Sequence, residues 1–338
     1  MRGTIIYAPG DIRSEELPDP ILTHGTDAII RAVATCICGS DLWPYRGIEP
    51  VDAPQPMGHE YVGIVEEVGD QVDGITPGQF VVGSFATSDN TCPNCRNGYH
   101  SACVHGEFLN TCQAEYIRIP HADGTLVATD DQPDPSQIPS LLAVSDVMGT
   151  GWYAAVAADV RPGSTVVVVG DGAVGLCGVI AAKEFGAERI IAMSRHPDRQ
   201  RLATIFGATD IVSERGEAGV ARIHDLTKGI GADSVLECVG TSESVTQALR
   251  AARTGGNVGL VGIPQGVQVT GEELVSAHIG LRGGPAPVRR FLPDLIDLVL
   301  DEKIDPGQVF DLTLPLADVA DGYKAMNERA AIKALLQS

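Results

Sequence analysis

The sequence is poor in cations and contains no long uninterrupted apolar run. Its 338 residues include 24 Lys and Arg against 44 Asp and Glu, for a formal net charge of −20. Binding to a nucleic-acid backbone needs clustered Lys and Arg, so this deficit argues against nucleic acids and anionic membranes as partners. No apolar run approaches the roughly 20 residues that cross a bilayer, and no charged-then-apolar signal opens the chain. We therefore expect a cytoplasmic protein without a membrane partner.

The eight cysteines indicate metal binding rather than disulfides. Thiols stay reduced in the cytoplasm, where clustered cysteines are typical of metal sites. Cys92, Cys95 and Cys103 form such a cluster. The cysteines outside the motifs are scattered and are expected to be small, buried apolar side chains; they are Cys36, Cys112, Cys177 and Cys238.

The apolar pattern changes along the chain. Up to about residue 145, short alternating runs such as Ala28–Val33 and Phe80–Val82 predict a mostly β domain. Strand-like runs then alternate with helix-length segments, which predicts a parallel doubly wound sheet; these runs are Val166–Val169, Ile190–Met193, Ser234–Cys238 and Asn257–Val261. The tail carries a helical stripe, a strand-like Val309–Leu312 and a terminal helix, and it is too short to form a domain by itself.

Length and pattern together predict an α/β chain of two domains, because one hydrophobic core seldom organises 338 residues. We expect residues 1–147 and 284–338 to form the mostly β domain. Residues 148–283 are expected to form the Rossmann-type domain, with strands and helices in alternation.

Cys38 and His59 present a thiol and an imidazole, which are ligand types for zinc, and Glu60 adds a carboxylate. Structural zinc sites take four ligands at tight paired spacings, whereas catalytic sites take about three and leave one position open. The separation of Cys38 from His59 favours a catalytic site whose third ligand comes from further along the chain. The alternative is a buried free cysteine and a core histidine. Gly58, which permits close backbone approach beside His59, favours the ligands.

A second motif lies where the pattern becomes α/β. The buried run Val166–Val169 leads into Gly170-Asp171-Gly172-Ala173-Val174-Gly175 and then into an apolar helix that ends near Gly186. A strand before and a helix after make this Gly-x-Gly-x-x-Gly pattern specific for dinucleotide binding. Gly170 permits the tight turn, Gly172 lets a pyrophosphate approach, and Gly175 allows the helix to pack on the strand. The alternative is a glycine-rich turn that binds nothing.

The end of the next strand indicates which dinucleotide is bound. NAD sites usually place an acid about 20 residues past the glycines to bond the ribose 2′-hydroxyl, whereas an Arg accommodates a 2′-phosphate. Here Met193 is followed by Ser194 and Arg195, with Arg199 nearby and no acid at the strand end. We therefore predict a preference for NADP(H) over NAD(H). The alternative is that Arg195 only faces solvent.

A zinc-type motif in a β domain joined to a dinucleotide motif resembles the zinc-dependent alcohol dehydrogenases of the medium-chain dehydrogenase/reductase superfamily, essentially from end to end. The resemblance is carried by Cys38-Gly39-Ser40-Asp41, Gly58-His59-Glu60 through Gly69, the truncated cysteine cluster, Asp146 with Thr150-Gly151, Gly170–Gly175 and Gly255-Gly256 through Ile263. It implies a GroES-like catalytic domain beside the Rossmann domain, and a homotetramer or homodimer.

The resemblance also implies residue roles. Cys38, His59 and Asp146 would hold the catalytic zinc, and Glu60 can approach it as an alternating fourth ligand. Ser40 would take the proton from the zinc-bound oxygen, and Asp41 would orient His59, the alternative being that Asp41 is a turn residue. The remaining contacts are to the cofactor: Thr150 and Val261, Gly262 and Ile263 would hold the nicotinamide, and Lys333 resembles a phosphate-contacting cation, the alternative being an exposed helix lysine.

Two departures from the family pattern qualify these roles. Trp43 stands where many relatives carry the histidine that completes the proton relay, so the relay must end through water or the cofactor ribose. Trp43 also allows a bulky or aromatic substrate, although ordinary packing is an equal alternative. In the structural-zinc lobe, Asp89 takes the place of the first of four cysteines, before Cys92, Cys95 and Cys103, and His100 is an alternative ligand.

The function expected from these motifs is zinc-dependent hydride transfer between NADP(H) and an alcohol or carbonyl substrate. Two alternatives stay open at this point. One is a zinc-independent quinone or enoyl reductase of the same superfamily, which would lack the zinc ligands. The other is a non-catalytic NADPH-binding protein, which would bind cofactor without transferring hydride.

Overall fold

The computed structural model describes residues 1–337, which divide into two compact units. The first unit comprises Met1–Asp146 together with the chain from Pro287 onward, and the second comprises Val147–Ala286. These boundaries lie within a few residues of the predicted ones. None of the helices in residues 1–337 combines the length and the apolar character that crossing a bilayer requires.

The strands are, in chain order, β1 (Arg2–Ala8), β2 (Asp11–Glu16), β3 (Ala28–Cys36), β4 (Gln55–Pro56), β5 (Tyr61–Val68), β6 (Phe80–Gly83), β7 (Tyr116–Ile119), β8 (Leu126–Ala128), β9 (Thr165–Val169), β10 (Arg189–Met193), β11 (Asp210–Val212), β12 (Ala232–Glu237), β13 (Ala252–Leu260), β14 (Gly280–Gly283), β15 (Leu312–Pro315) and β16 (Ala334–Gln337).

The α-helices are α1 (Leu42–Tyr45), α2 (Pro93–Arg96), α3 (Ala122–Thr125), α4 (Ile138–Val144), α5 (Val147–Ala157), α6 (Ala173–Glu184), α7 (Pro197–Phe206), α8 (Gly216–Leu226), α9 (Ser242–Ala251), α10 (Gly271–Ala277), α11 (Val288–Leu300) and α12 (Val319–Asn327). Short 3₁₀ helices span His100–Ala102, Pro135–Gln137, Pro306–Val309 and Leu316–Asp318.

The second unit is built on a parallel sheet with the strand order β11-β10-β9-β12-β13-β14. The central strand β9 consists of Thr165 and four valines, all four buried, as expected for a strand covered on both faces. The order of the strands reverses between β9 and β12, and doubly wound sheets bind ligands at the carboxyl edge of such a point. The predicted Rossmann-type fold is confirmed.

The first unit is mostly β, as predicted. A seven-stranded sheet runs β15-β16-β3-β5-β6-β8, with β7 pairing β3, and a three-stranded sheet runs β2-β1-β4. Its apolar core includes Ile30, Tyr61, Val81 and Ile117, all at most 1% exposed. The longest pairing is β3 with β5, antiparallel, with Thr35 opposite Tyr61. This pairing places the segment after β3 beside the segment before β5.

The tail differs from the prediction in two places. Val309 ends a 3₁₀ helix, and the strand β15 begins only at Leu312. The predicted terminal helix is α12, but the chain then forms the strand β16, which pairs with β3 and β15. The segment Ala334-Leu335-Leu336 has helix-forming residues, and its burial between two strands overrides that local preference.

Candidate functional site

Four potential metal ligands converge in the first unit. One donor atom from each of Cys38, His59, Glu60 and Asp146 lies within 4.8 Å of the others. Asp146 Oδ2 lies 3.6 Å from Cys38 Sγ and 3.3 Å from His59 Nε2. Cys38, Glu60 and Asp146 are buried, and the His59 side chain is 14% exposed. The cluster therefore has the composition and the spacing of a metal site, and solvent contacts it at His59.

The sheet brings these side chains together. Cys38 follows β3, and His59 and Glu60 directly precede β5, its antiparallel neighbour. The Thr35 hydroxyl donates to the Glu60 carbonyl oxygen at 2.7 Å, and this hydrogen bond joins the end of β3 to the start of β5. Asp146 follows α4, more than 100 residues after Cys38, and only the folded unit places it here.

The backbone around His59 is tightly packed. Gly58 has a φ of +93°, and a Cβ there would lie 2.7 Å from the Gln113 nitrogen. The close approach predicted at Gly58 is therefore present, and the partner is the segment Cys112-Gln113, whose N–H groups donate to the carbonyls of Gly58 and Met57.

The electrostatics of this cluster fit a bound cation. Burial lowers the pKa of His59, but Asp41, Cys38 and Asp146 outweigh burial and raise that pKa well above its ordinary value. Burial raises the pKa of Cys38, with Glu60 and Asp146 adding to the effect. The thiol and carboxylate groups thus favour a positive charge on the imidazole. A divalent cation bound among these groups would neutralise their negative charge instead.

A hydrogen-bonded chain orients His59 from behind. Asp41 Oδ1 lies 3.3 Å from His59 Nδ1, and Asp41 Oδ2 accepts from the Cys38 N–H at 2.9 Å and from Gln113 Nε2 at 3.1 Å. Gln113 Oε1 in turn accepts from the Tyr323 hydroxyl at 3.2 Å. The sequence pointed to Asp41 but not to Gln113 or Tyr323, because their contacts join distant segments of the chain.

Lys333 is buried beside Glu60. Its Nζ lies 2.6 Å from Glu60 Oε1 and 3.2 Å from the Ile37 carbonyl oxygen, with the side chain 1% exposed. The alternative of an exposed helix lysine is wrong, because Lys333 directly precedes the strand β16, which runs beside β3, and its side chain is buried. Contact of Lys333 with a cofactor phosphate stays a prediction.

The predicted dinucleotide residues gather at the carboxyl edge of the parallel sheet. Gly170 has a φ of +116°, and α6 begins at Ala173 with Gly172 as its N-cap. A Cβ on Gly175 would lie 2.0 Å from the Gly170 carbonyl oxygen, whereas one on Gly172 would meet nothing within 4 Å. The motif thus combines a close helix contact with open space before a helix N-terminus, the arrangement that suits a pyrophosphate.

The other predicted cofactor residues lie on neighbouring segments. Val261, Gly262 and Ile263 follow β13, where a Cβ on Gly262 would lie 2.2 Å from the Gly240 nitrogen. Thr150 lies on α5 and is half-buried.

No acid follows β10 in the sequence, but the carboxylate of Asp171, which follows β9, lies beside the end of β10 in space. Ser194 Oγ donates to Asp171 Oδ2 at 2.8 Å, and Arg199 Nη1 donates to the Asp171 carbonyl oxygen at 3.3 Å. Arg195 is exposed. Sequence reasoning missed Asp171 because it stands inside the glycine turn, one strand away from Ser194.

Comparison with known proteins establishes the family. The model of the alcohol dehydrogenase GroES-like domain matches residues 24–131, and that of the zinc-binding dehydrogenase domain matches residues 173–298. The chain is 32% identical over 351 residues to zinc-type alcohol dehydrogenase B of Aspergillus flavus, covering 100% of this chain and 81% of the relative. This chain is a member of the zinc-dependent alcohol dehydrogenase family. It is an oxidoreductase that acts on alcohols.

Two further comparisons agree with this assignment. The dehydrogenase is 32% identical over 294 residues to the NADP-dependent isopropanol dehydrogenase of Clostridium beijerinckii, covering 82% of this chain and 83% of the relative. Its fold matches the solved structure of the alcohol dehydrogenase TADH from Thermus sp. ATN1 with a TM-score of 0.92 and 30% identity, over 100% and 99% of the two chains. The resemblance stated from the motifs is confirmed.

The dehydrogenase has a second group of potential metal ligands in its first unit, made of Asp89, Cys92, Cys95 and Cys103. Cys92 Sγ lies 3.5 Å from Cys95 Sγ and 3.9 Å from Cys103 Sγ. Hydrogen bonds from the backbone N–H groups of Cys95 and Val104 lower the pKa of Cys92 to about 7, which favours the thiolate that a metal binds.

Asp89 takes the fourth position of this group, as predicted from the alignment with the family spacing. Burial raises its pKa, but hydrogen bonds from His105 and from the N–H groups of Cys92 and Thr91 outweigh burial and hold the pKa below its ordinary value. His105 Nδ1 lies 2.6 Å from Asp89 Oδ2. His100, the alternative ligand, is outside the group among the residues described; His105, not singled out from the sequence, contacts the acid instead.

Aromatic side chains lie next to His59 in the dehydrogenase. The Phe85 ring meets His59 edge to face at 6.1 Å between centroids, and Phe108 stacks on Phe85 at 5.9 Å. Phe108 is 58% exposed, so this apolar surface reaches solvent. Trp43 lies on α1 and is half-buried, and Ser40, just before α1, is half-buried too.

Proposed function

We propose that the chain is an NADP(H)-preferring alcohol dehydrogenase or aldehyde/ketone reductase in which Cys38, His59 and Asp146 hold a catalytic zinc, with Glu60 as an alternating fourth ligand. The observation that carries the proposal is the convergence of these four donor atoms within 4.8 Å. Thiolate, imidazole and carboxylate are an acceptable zinc set. Bound zinc polarises an alcohol or carbonyl oxygen, and the nicotinamide accepts or donates the hydride.

The protein's own part begins with the orientation of His59. Asp41 accepts from Nδ1–H, so that when a metal ion takes the place of the second ring proton, the lone pair on Nε2, on the side of Asp146, would bind it. The N–H of Cys38 and the amide of Gln113 keep Asp41 in place. Residues of this kind fix the tautomer and the direction of a metal-binding imidazole.

We assign proton movement to the Ser40 hydroxyl, two residues after Cys38. A hydroxyl both donates and accepts, so it can pass a proton between a substrate oxygen and water or a ribose hydroxyl. Trp43 has only an N–H donor and cannot continue a relay as the histidine of many relatives does. The relay therefore ends at Ser40 and its solvent or cofactor contacts.

The proposed preference for NADP(H) rests on Ser194 and Arg195, a hydroxyl and an exposed guanidinium directly after β10. A guanidinium recognises phosphate oxygens in a planar, charge-assisted geometry. The relative from Clostridium beijerinckii, whose name describes it as NADP-dependent, supports the proposal. Phe85 and Phe108 beside His59 favour substrates with an apolar group next to the reacting oxygen.

The test is a panel of alcohols, aldehydes and ketones assayed with NADP⁺ and NADPH, before and after chelation and after zinc is restored. Loss of turnover on chelation, its return with zinc, and its loss in Cys38→Ser support the proposal. Cys177→Ala, a buried cysteine in the second unit outside both ligand groups, is the matched control and should keep bound zinc. Turnover that survives chelation indicates a zinc-independent reductase; cofactor binding without turnover indicates a binding protein.

A further inference from the structure

The glycine turn places the Asp171 carboxylate beside Ser194, the residue that directly follows β10. The strands β9 and β10 are parallel neighbours with Val169 opposite Met193, so Asp171 and Ser194 leave the same edge of the sheet. The Ser194 hydroxyl donates to Asp171 Oδ2 at 2.8 Å. Arg199 Nη1 lies 3.5 Å from Asp171 Oδ1.

These groups form a compact, largely buried network. The side chains of Asp171 and Arg199 are 11% and 14% exposed, and Ser194 is 1% exposed. Ser194 and Arg199 are two of the three residues expected to bind a 2′-phosphate. Both already contact an anion that belongs to the protein.

A 2′-phosphate carries nearly two negative charges, and it would have to share Ser194 and Arg199 with this carboxylate. Like charges close together in a site shielded from water repel one another more strongly than in solution. The ribose of NAD(H) bears a hydroxyl at the same place, and a hydroxyl is compatible with a neighbouring carboxylate. This network is therefore expected to weaken the binding of NADP(H) relative to that of NAD(H).

We propose that Asp171 is a specificity-determining residue of this dehydrogenase: its carboxylate competes with the 2′-phosphate of NADP(H) for Ser194 and Arg199 and so narrows the preference for NADP(H) over NAD(H). The inference rests on the proposed function, because it concerns the same cofactor site. Arg195, which is exposed and lies outside the network, remains the cation that the phosphate meets without competition.

The experiment measures dissociation constants of NADPH and NADH by fluorescence titration of the full-length, zinc-loaded protein. Asp171→Asn keeps the size of the side chain and an oxygen acceptor for Ser194 while removing the charge. We expect NADPH to bind about tenfold more tightly and NADH to change less than about threefold, because only the phosphate is relieved of repulsion. Added salt should reduce the gain, since it screens partly exposed charges.

The matched control is Asp198→Asn, on the same edge of the second unit. Asp198 is 78% exposed and pairs with Arg201, so its removal takes away one negative charge without touching the network. The ratio of the two dissociation constants should not move. A second variant, Asp171→Ser, keeps the inference testable if Asp171→Asn does not fold, and it should shift the ratio in the same direction.

Unchanged or weaker NADPH binding in folded Asp171 variants overturns the inference; weaker binding would mean that Asp171 positions Ser194 and Arg199 for the phosphate. The unmodified protein tests the proposed function separately. If it binds NADH more tightly than NADPH, the proposed cofactor preference is wrong, yet a tenfold shift toward NADPH in Asp171→Asn still supports the inference.

Discussion

Lys333 Nζ and Glu60 Oε1 form an ion pair of 2.6 Å in which neither side chain is more than 1% exposed. Burial lowers the pKa of Lys333, but Cys36, Glu60 and Cys38 outweigh burial and raise it well above the ordinary value, so the ammonium stays charged. Among residues 1–337, Glu60 Oε2 has no hydrogen-bond partner. One oxygen of Glu60 is thus held by Lys333, and the other remains for the neighbouring ligand group.

Lys333→Met should destabilise the protein by about 3–5 kcal/mol, because it leaves the Glu60 carboxylate buried without its cation. Equilibrium unfolding in urea measures the change. The variant Lys333→Met with Glu60→Gln should regain most of the loss, and Lys303→Ala, at an exposed pair with Asp301, should lose less than about 1 kcal/mol. If folded Lys333→Met bound NADPH more weakly, that result would support the contact between Lys333 and a cofactor phosphate that the resemblance implied.

The group of Asp89 and three cysteines should hold a second zinc, so metal analysis should find close to two zinc atoms per chain. Cys92→Ser should remove one of them and lower the melting temperature while kcat/KM changes little, because the group is apart from Cys38 and His59. Asp89→Cys should bind this zinc more tightly, since sulfur is the softer ligand. One zinc atom per unmodified chain would refute the second site.

Arg195→Asp should turn the cofactor preference toward NAD(H). The change replaces an exposed cation after β10 with the acid that NAD sites use, and the ratio of kcat/KM for NADP⁺ to that for NAD⁺ should fall by more than about tenfold. Arg201→Asp, an exposed position on the same helix as Arg199, is the control. A preference for NAD⁺ that Arg195→Asp leaves unchanged would exclude a role for Arg195.

Asp27 should stabilise the first unit in a pH-dependent way. Its Oδ2 accepts from Arg118 Nη1 at 2.9 Å and from groups of Thr23 and His24, and the side chain is 1% exposed. Burial raises the pKa of Asp27, but these hydrogen bonds outweigh burial and lower it below the ordinary value of about 3.9. The stabilisation is therefore complete above that value and is lost as the pH falls through the lowered pKa.

We accordingly expect Asp27→Asn to lower the free energy of unfolding by about 1–3 kcal/mol at pH 7, and by less at pH 3. Urea unfolding of both proteins at several pH values gives the difference. Asp19→Asn, at an exposed position, serves as the control. A difference that does not vary with pH would show that the charge of Asp27 contributes nothing.

Local patterns carried most of what the sequence predicted. The strand, glycine turn and helix of Thr165–Glu184 follow one another directly, and each depends on residues within a few positions. Cys38 and His59 were identified as a candidate metal site from their residue types, their spacing and the neighbouring Gly58, and the pairing of β3 with β5 brings them together. The general architecture follows from the same periodicities.

Contacts between distant segments were not predictable in this way. Asp171 with Ser194, Lys333 with Glu60, and Gln113 with Asp41 each join segments whose proximity depends on the order of strands in a sheet. The strand β16 was missed for the same reason, because its neighbours and not its composition decide its conformation. The sequence offered residue types at these positions, and the topology decided their partners.

The discontinuity of the first unit has a consequence for how the protein is made. Glu60 and Lys333 are 273 positions apart, and the whole second unit is translated between them. A growing chain therefore contains Cys38, His59, Glu60 and Asp146 long before it contains the cation that offsets Glu60. It also lacks β16, the strand that pairs with β3 beside these ligands. The sheet that positions the ligand group is thus completed only after the whole second unit and β16 have been synthesised.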